Sequence, residues 1–109
     1  DVITLHVPLT DLTRDMIDEV VLRKMQRDSY LINTSRGSVV NPSALYKALV
    51  SGEISGAALD VFCSEPPNDM EFLQLPNLMV TPHIGGNSVE AVEAMGQAAI
   101  DNLVAFFKK

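Results

Sequence analysis

Cysteine is almost missing: Cys63 is the only one, so no intramolecular disulfide can form and a cysteine-based metal site is not expected. Such sparing use suits a reducing, cytoplasmic setting, which is the expected location. Basic residues are also few. Eight Lys and Arg stand against 14 Asp and Glu, for a formal net charge of −6. Without clustered Lys and Arg to neutralise phosphates, nucleic-acid binding is not expected. No apolar run approaches the ~20 residues that a membrane span needs. No basic segment followed by an apolar stretch opens the chain as in a signal peptide. Internal repeats, low-complexity tracts and flexible linkers are absent as well.

What remains is a chain of 109 residues, 47% hydrophobic, enough for one domain with its own core and no need of staples. It opens as Asp1-Val2-Ile3-Thr4-Leu5, inside a strand-like run and without an initiator Met, so these residues are expected to belong to a longer protein. Val2 to Val7, closed by Pro8, is a β-branched apolar run and predicts a buried strand. Asp18 is placed to cap a helix reaching Met25, with Val20, Val21, Leu22 and Met25 on its apolar side. Ser29 to Asn33 predicts a second strand. Asn41-Pro42 combines an N-cap with a first-turn proline, Leu45, Ala48 and Leu49 give the helix an apolar face, and Gly52 stops it.

Ala57 to Phe62 predicts a third strand, and Pro66-Pro67-Asn68 a loop. Leu78 to Val80 is a fourth short strand ending at Pro82. Asn87 and Glu90 have capping-box spacing before a closing helix that runs to about Phe107, with Val92, Met95, Ala99, Leu103 and Phe106 on one face. The strands are short continuous apolar runs that do not alternate. That pattern predicts an α/β fold, a parallel sheet covered by helices on both faces.

In an open parallel sheet, ligands bind beyond the C-terminal ends of the strands. Three polar clusters fall there: Thr34-Ser35-Arg36-Gly37, Asp60 through Glu65, and His83-Ile84-Gly85-Gly86. An arginine fork pairs bidentately with a carboxylate. A histidine exchanges protons near neutral pH, and a neighbouring carboxylate favours its charged form. A substrate with a carboxylate beside a carbonyl or hydroxyl would use all three: Arg36 to hold the carboxylate, His83 to move a proton at the oxygen, and Glu65 to orient His83. Hydride chemistry would then need a cofactor, since no side chain donates hydride. Taken singly, each residue has a plainer explanation. Arg36 is a solvated charge, His83 a structural residue, Asp60 a turn cap, Glu65 a loop charge, and Gly85-Gly86 a tight turn. Their placement at successive strand ends is what argues for a site.

Four segments, Leu5-His6-Val7-Pro8-Leu9-Thr10, Leu31 through Gly37, Gly56 through Phe62 with Glu65-Pro66, and Thr81 through Gly86, resemble the D-isomer-specific 2-hydroxyacid dehydrogenases in order and spacing. The resemblance extends over essentially the whole chain. It implies the second half of a Rossmann-type doubly wound parallel sheet, with about four short parallel strands, flanking helices and a long C-terminal helix. Residues 1–109 would then be the C-terminal part of a nucleotide-binding domain, with the substrate domain absent. By this resemblance Arg36 is the substrate-carboxylate arginine, Glu65 the acid paired with the histidine, and His83 the general acid/base. The resemblance further places Asp60 near the nicotinamide carboxamide, Thr34 and Ser35 along the nicotinamide end, Val7 and Pro8 against the adenine-side pocket, and Ile84, Gly85 and Gly86 as backbone beside the nicotinamide. By the same resemblance Arg36 and His83 would border the cofactor too.

The implied cofactor is NAD, with NADP as the other dinucleotide this fold takes. The implied partners are a small 2-hydroxy or 2-oxo acid and a second copy of the full-length protein in a homodimer. The chain departs from the family in one respect. No Gly-x-Gly-x-x-Gly spacing occurs in it, and that loop, with its helix N-terminus, is what holds the pyrophosphate. These residues alone are therefore expected to be inactive. Two alternatives stand beside the enzyme: an interaction module of the co-repressor type, and a truncated non-catalytic paralogue.

Overall fold

The structure, a computed structural model, describes residues 1–108. Strands β1 (Val2–Leu5), β2 (Tyr30–Asn33), β3 (Gly56–Leu59) and β4 (Leu78–Val80) alternate with helices α1 (Glu19–Lys24), α2 (Pro42–Ser51), α3 (Met70–Leu73) and the closing α4 (Val89–Phe107). All neighbouring strands are parallel, in the order β1-β2-β3-β4. The register aligns Leu5, Asn33, Leu59 and Val80, so every strand ends at one level and the residues after them share one edge. The expected α/β fold is what forms.

The helix starts have local causes. Asp18 accepts from the Val21 N–H, and Asn41 from the Ala44 N–H with Pro42 at the first turn. Gly52 closes α2 at φ 70°, a left-handed position that suits glycine. At α4 the capping residue is Ser88, which accepts from the Ala91 N–H, and not Asn87 as its spacing with Glu90 suggested. Ser88 has the extended backbone (φ −78°, ψ 155°) that lets an N-cap hydroxyl reach its own first turn, while the Asn87 N–H turns back to the Ile84 carbonyl. The first and third strands are shorter than expected: β1 stops at Leu5 and β3 at Leu59. The short helix α3, capped by Asp69, and a 3-10 turn over Gly37–Val39 have no periodicity long enough to show in the sequence.

The core lies between the sheet and α1–α2. Leu22, Leu31, Leu45 and Ile54 are buried there, each stabilising the fold by about 1.5–3 kcal/mol. Ala44, Ala48 and Leu49 join them, as the α2 pattern predicted. On α1 only Leu22 is fully buried. Val21 and Met25 pack partly, and Val20 faces solvent because a six-residue helix presents a single narrow stripe. The expectation of helices on both sheet faces holds for one face. On the other, Val2, Tyr30 and Met79 remain open. Nor does α4 bury any residue. At 19 residues it is about 28 Å long, which accounts for the elongated 58 × 27 × 26 Å outline. No helix among the described residues is long and apolar enough to cross a membrane.

Candidate active site

Each strand hands over to a loop whose first residues are held by side chains. After β2, Asn33 is buried and organises the turn. Its Oδ1 accepts from the Ser35 N–H (3.0 Å) and hydroxyl (2.8 Å), and its Nδ2 donates to the Arg36 carbonyl (3.0 Å). The Ser35 hydroxyl therefore points inward, whereas Thr34 faces out and lines a cavity of about 90 Å³ with Asp60 and Thr81. Arg36 is exposed, and its Nη1 donates to the Ser35 carbonyl at 2.7 Å. No carboxylate pairs with it among the described residues, so most of its five-donor fork is free.

The next residue joins this loop to the following one. A Cβ built on Gly37 would lie 2.0 Å from the Phe62 carbonyl carbon and 2.4 Å from the Cys63 nitrogen. Only glycine lets the arginine loop seat against the backbone after β3. Gly37→Ala must push that backbone away, and a loss of about 1–3 kcal/mol is expected, the usual scale of overpacking. Urea unfolding of the complete gene product measures it; an unchanged midpoint would show that the two loops do not meet.

The backbone so seated holds Glu65. Its Oε1 accepts from the Phe62 N–H at 3.0 Å, and its Oε2 meets His83 Nδ1 at 2.7 Å. Both side chains are partly exposed, at 38% and 48%. The His83 hydrogen bond, then the Phe62 amide, hold the Glu65 carboxyl below the usual carboxylate range. An open cavity of about 370 Å³ lies beside the pair, walled by Phe62, Pro66, Pro67, Leu73 and Pro82.

Asp60 is buried at the end of β3. Its Oδ1 accepts from the Thr81 hydroxyl (2.6 Å) and the Ile84 N–H (2.9 Å), and its Oδ2 from the Gly85 N–H (2.8 Å). These bonds, Thr81's first, keep its pKa low against the opposing effect of burial. His83 itself sits at φ 56°, a left-handed backbone that costs a non-glycine residue about 1–2 kcal/mol.

Of the candidates, Asp60, Glu65, His83, Ile84 and Gly85 are thus joined directly, Thr34 shares a cavity with Asp60, and Arg36 comes alongside through Gly37. Gly86 is exposed with open space about it. Val7 and Pro8 lie beyond β1, with β2 between them and β3. Val7 packs partly against the core, and the Pro8 carbonyl accepts from Thr13. Reasoning from sequence named the segments holding Asn33, Gly37 and Thr81 but gave these three residues no role of their own. Asn33 was detectable as a polar end to an apolar strand; the duties of the other two depend on partners more than twenty residues away.

Comparison with known proteins decides the affiliation. A family model described as the NAD-binding domain of D-isomer specific 2-hydroxyacid dehydrogenases matches residues 1–85. The chain belongs to that family. It is 50% identical over 109 residues to the glycerate dehydrogenase of Methylorubrum extorquens, covering 97% of this chain and 35% of that one. The solved glyoxylate reductase of Paecilomyes thermophila superposes with a TM-score of 0.94 at 35% identity, over 100% of this chain and 33% of its own. The D-lactate dehydrogenase of Aquifex aeolicus, solved with NAD and lactic acid, gives 0.89 at 35% identity, over 99% and 37%. This dehydrogenase-family chain spans about a third of the length of the curated relatives it matches.

Proposed function

We propose that these residues are the C-terminal part of the nucleotide-binding domain of an NAD-dependent D-2-hydroxyacid dehydrogenase, which interconverts a small 2-hydroxy acid and its 2-oxo acid. The observation that carries this is the Glu65–His83 contact, 2.7 Å across two neighbouring strand ends, with the other Glu65 oxygen fixed by a backbone N–H. A carboxylate anchored at one oxygen and bonded to imidazole at the other is built to support a charged histidine.

The nicotinamide, when bound, supplies or accepts the hydride. The stretch Ile84-Gly85-Gly86 suits its approach, since Gly86 leaves backbone unencumbered, and Thr34 and Asp60 border a small cavity at the same edge of the sheet. Arg36, with most of its fork free, holds the substrate carboxylate and so places the adjoining carbonyl. His83 uses its Nδ1 toward Glu65, which leaves Nε2 to give a proton to the carbonyl oxygen in reduction and to take it back in oxidation. Glu65 keeps that proton available. The homodimer implied by the family resemblance is part of the same reading.

The test is an assay of the complete gene product with NADH, and in parallel NADPH, against glyoxylate, hydroxypyruvate and pyruvate. Turnover of at least one, giving the D-hydroxy acid where the product is chiral, is expected; no oxidation with any of them would overturn the proposal. Residues 1–109 alone should show none, because no glycine loop among them can hold a pyrophosphate. Turnover by that chain at ordinary enzymatic rates would remove this part.

A further inference from the structure

The backbone of the loop that presents His83 is tied down by a single side chain, Asp60. The loop has little backbone hydrogen bonding of its own: the Thr81 N–H belongs to the sheet, and the Asn87 N–H closes a turn on Ile84. The Ile84 and Gly85 N–H groups instead go to the Asp60 carboxylate, and so does the Thr81 hydroxyl. These three donors bracket His83, one two residues before it and two immediately after. Between them His83 adopts φ 56°, a conformation that non-glycine residues hold only where the surroundings impose it. The seat is also tight, since a Cβ on Gly85 would come within 2.9 Å of Asp60 Oδ2.

We propose that Asp60 is a positioning residue that holds the His83 backbone in the left-handed region, through Thr81, Ile84 and Gly85, so that Nδ1 faces Glu65 and Nε2 faces substrate. The proposal rests on His83 as the proton-transfer group. It gives Asp60 a different duty from binding the nicotinamide carboxamide. A carboxylate has about four lone-pair positions, and three of them are taken by the loop.

The test compares the complete gene product with its Asp60→Asn variant. Asparagine keeps an acceptor for Thr81 and Ile84 but turns an NH2 toward the Gly85 N–H. Amide exchange at Ile84 and Gly85 should quicken by about tenfold or more while the β2 and β3 amides keep their rates. The Nδ1–H resonance of His83 in its bond to Glu65 should weaken. In turnover, kcat should fall by up to about a hundredfold, the scale of a slightly misplaced catalytic group, with KM for NADH changed less than about twofold.

Gly85→Ala leaves the carboxylate in place and wedges the same anchor from the other side, so it should reproduce these changes, and it serves if the Asn variant does not fold. A raised KM for NADH with unaltered exchange would make Asp60 a cofactor ligand and overturn the proposal, as would wild-type exchange and kcat in both variants. Should the parent lack dehydrogenase activity, the proposed function fails, while the exchange rates and the His83 resonance still decide whether Asp60 anchors the loop.

Discussion

Arg36→Lys in the complete enzyme is expected to raise KM for the 2-oxo acid and lower kcat/KM by about 2–4 kcal/mol, roughly thirty- to eight-hundred-fold. Lysine keeps the charge, so the size of the loss comes from geometry. The guanidinium is a planar fork, and its Nη1 is already braced on the Ser35 carbonyl, which aims the remaining donors outward from the turn that Asn33 shapes. An ammonium on a flexible stem offers neither the brace nor a bidentate face. Affinity for NADH should change far less. Steady-state kinetics with the oxo acid varied at saturating NADH check this, and a wild-type KM in the lysine variant would take the carboxylate role away from Arg36.

Glu65→Gln is expected to lower kcat in both directions by about ten- to a hundredfold, the scale of a slightly misplaced catalytic group, and to remove one limb of the pH–rate profile. The His83 bond and the Phe62 amide hold the Glu65 carboxyl below the usual carboxylate range, so it is ionised at neutral pH and loses its charge only in acid. Its support for the proton-transferring His83 is therefore present at neutral pH and lost as pH falls through the lowered carboxyl value. The wild type should show that acid limb, and the glutamine variant, with no carboxyl to protonate, should be low throughout without it.

Glutamine adds a second handicap, since Glu65 serves two N–H donors with two oxygens. With one oxygen only, either the NH2 opposes the Phe62 N–H or it faces Nδ1, which must then give up its proton. Both arrangements disfavour imidazolium. Profiles measured in both directions decide the matter: inflections that stay in place while only the heights drop would reduce Glu65 to a spacer. Asp60, whose charge also acts on His83 through space, would then be the next carboxylate to test.

Much of this chain was legible without coordinates, and for a common reason. Asp18, Asn41-Pro42 and Gly52 mark helix ends through contacts that reach three or four residues, so the linear sequence contains them whole. The apolar runs at β1 to β4 announce strands by composition, and the burial of Leu45, Ala48 and Leu49 follows from helical spacing. The clusters around Arg36, Glu65 and His83 could be placed at strand ends because each follows such a run directly. The N-cap of α4 was misplaced by one residue. Asn87 and Ser88 are both good caps, and the choice between them rests on a backbone turn set by Ile84.

The sequence by itself determined the parallel α/β order and the side chains available at one edge of the sheet. Only the tertiary structure decided which of them meet. Whether Glu65 or Asp60 bonds His83, that Ser35 turns inward to Asn33, and that Gly37 must be bare to admit the Phe62–Cys63 backbone are facts of the three-dimensional fold. The partners of His83 and of the loop after it lie 18 to 25 residues away along the chain. Their meeting depends on β3 and β4 ending at one level. A one-step slip in that alignment would turn the β4 side chains to the opposite face and break these contacts, while leaving every local sequence signal unchanged.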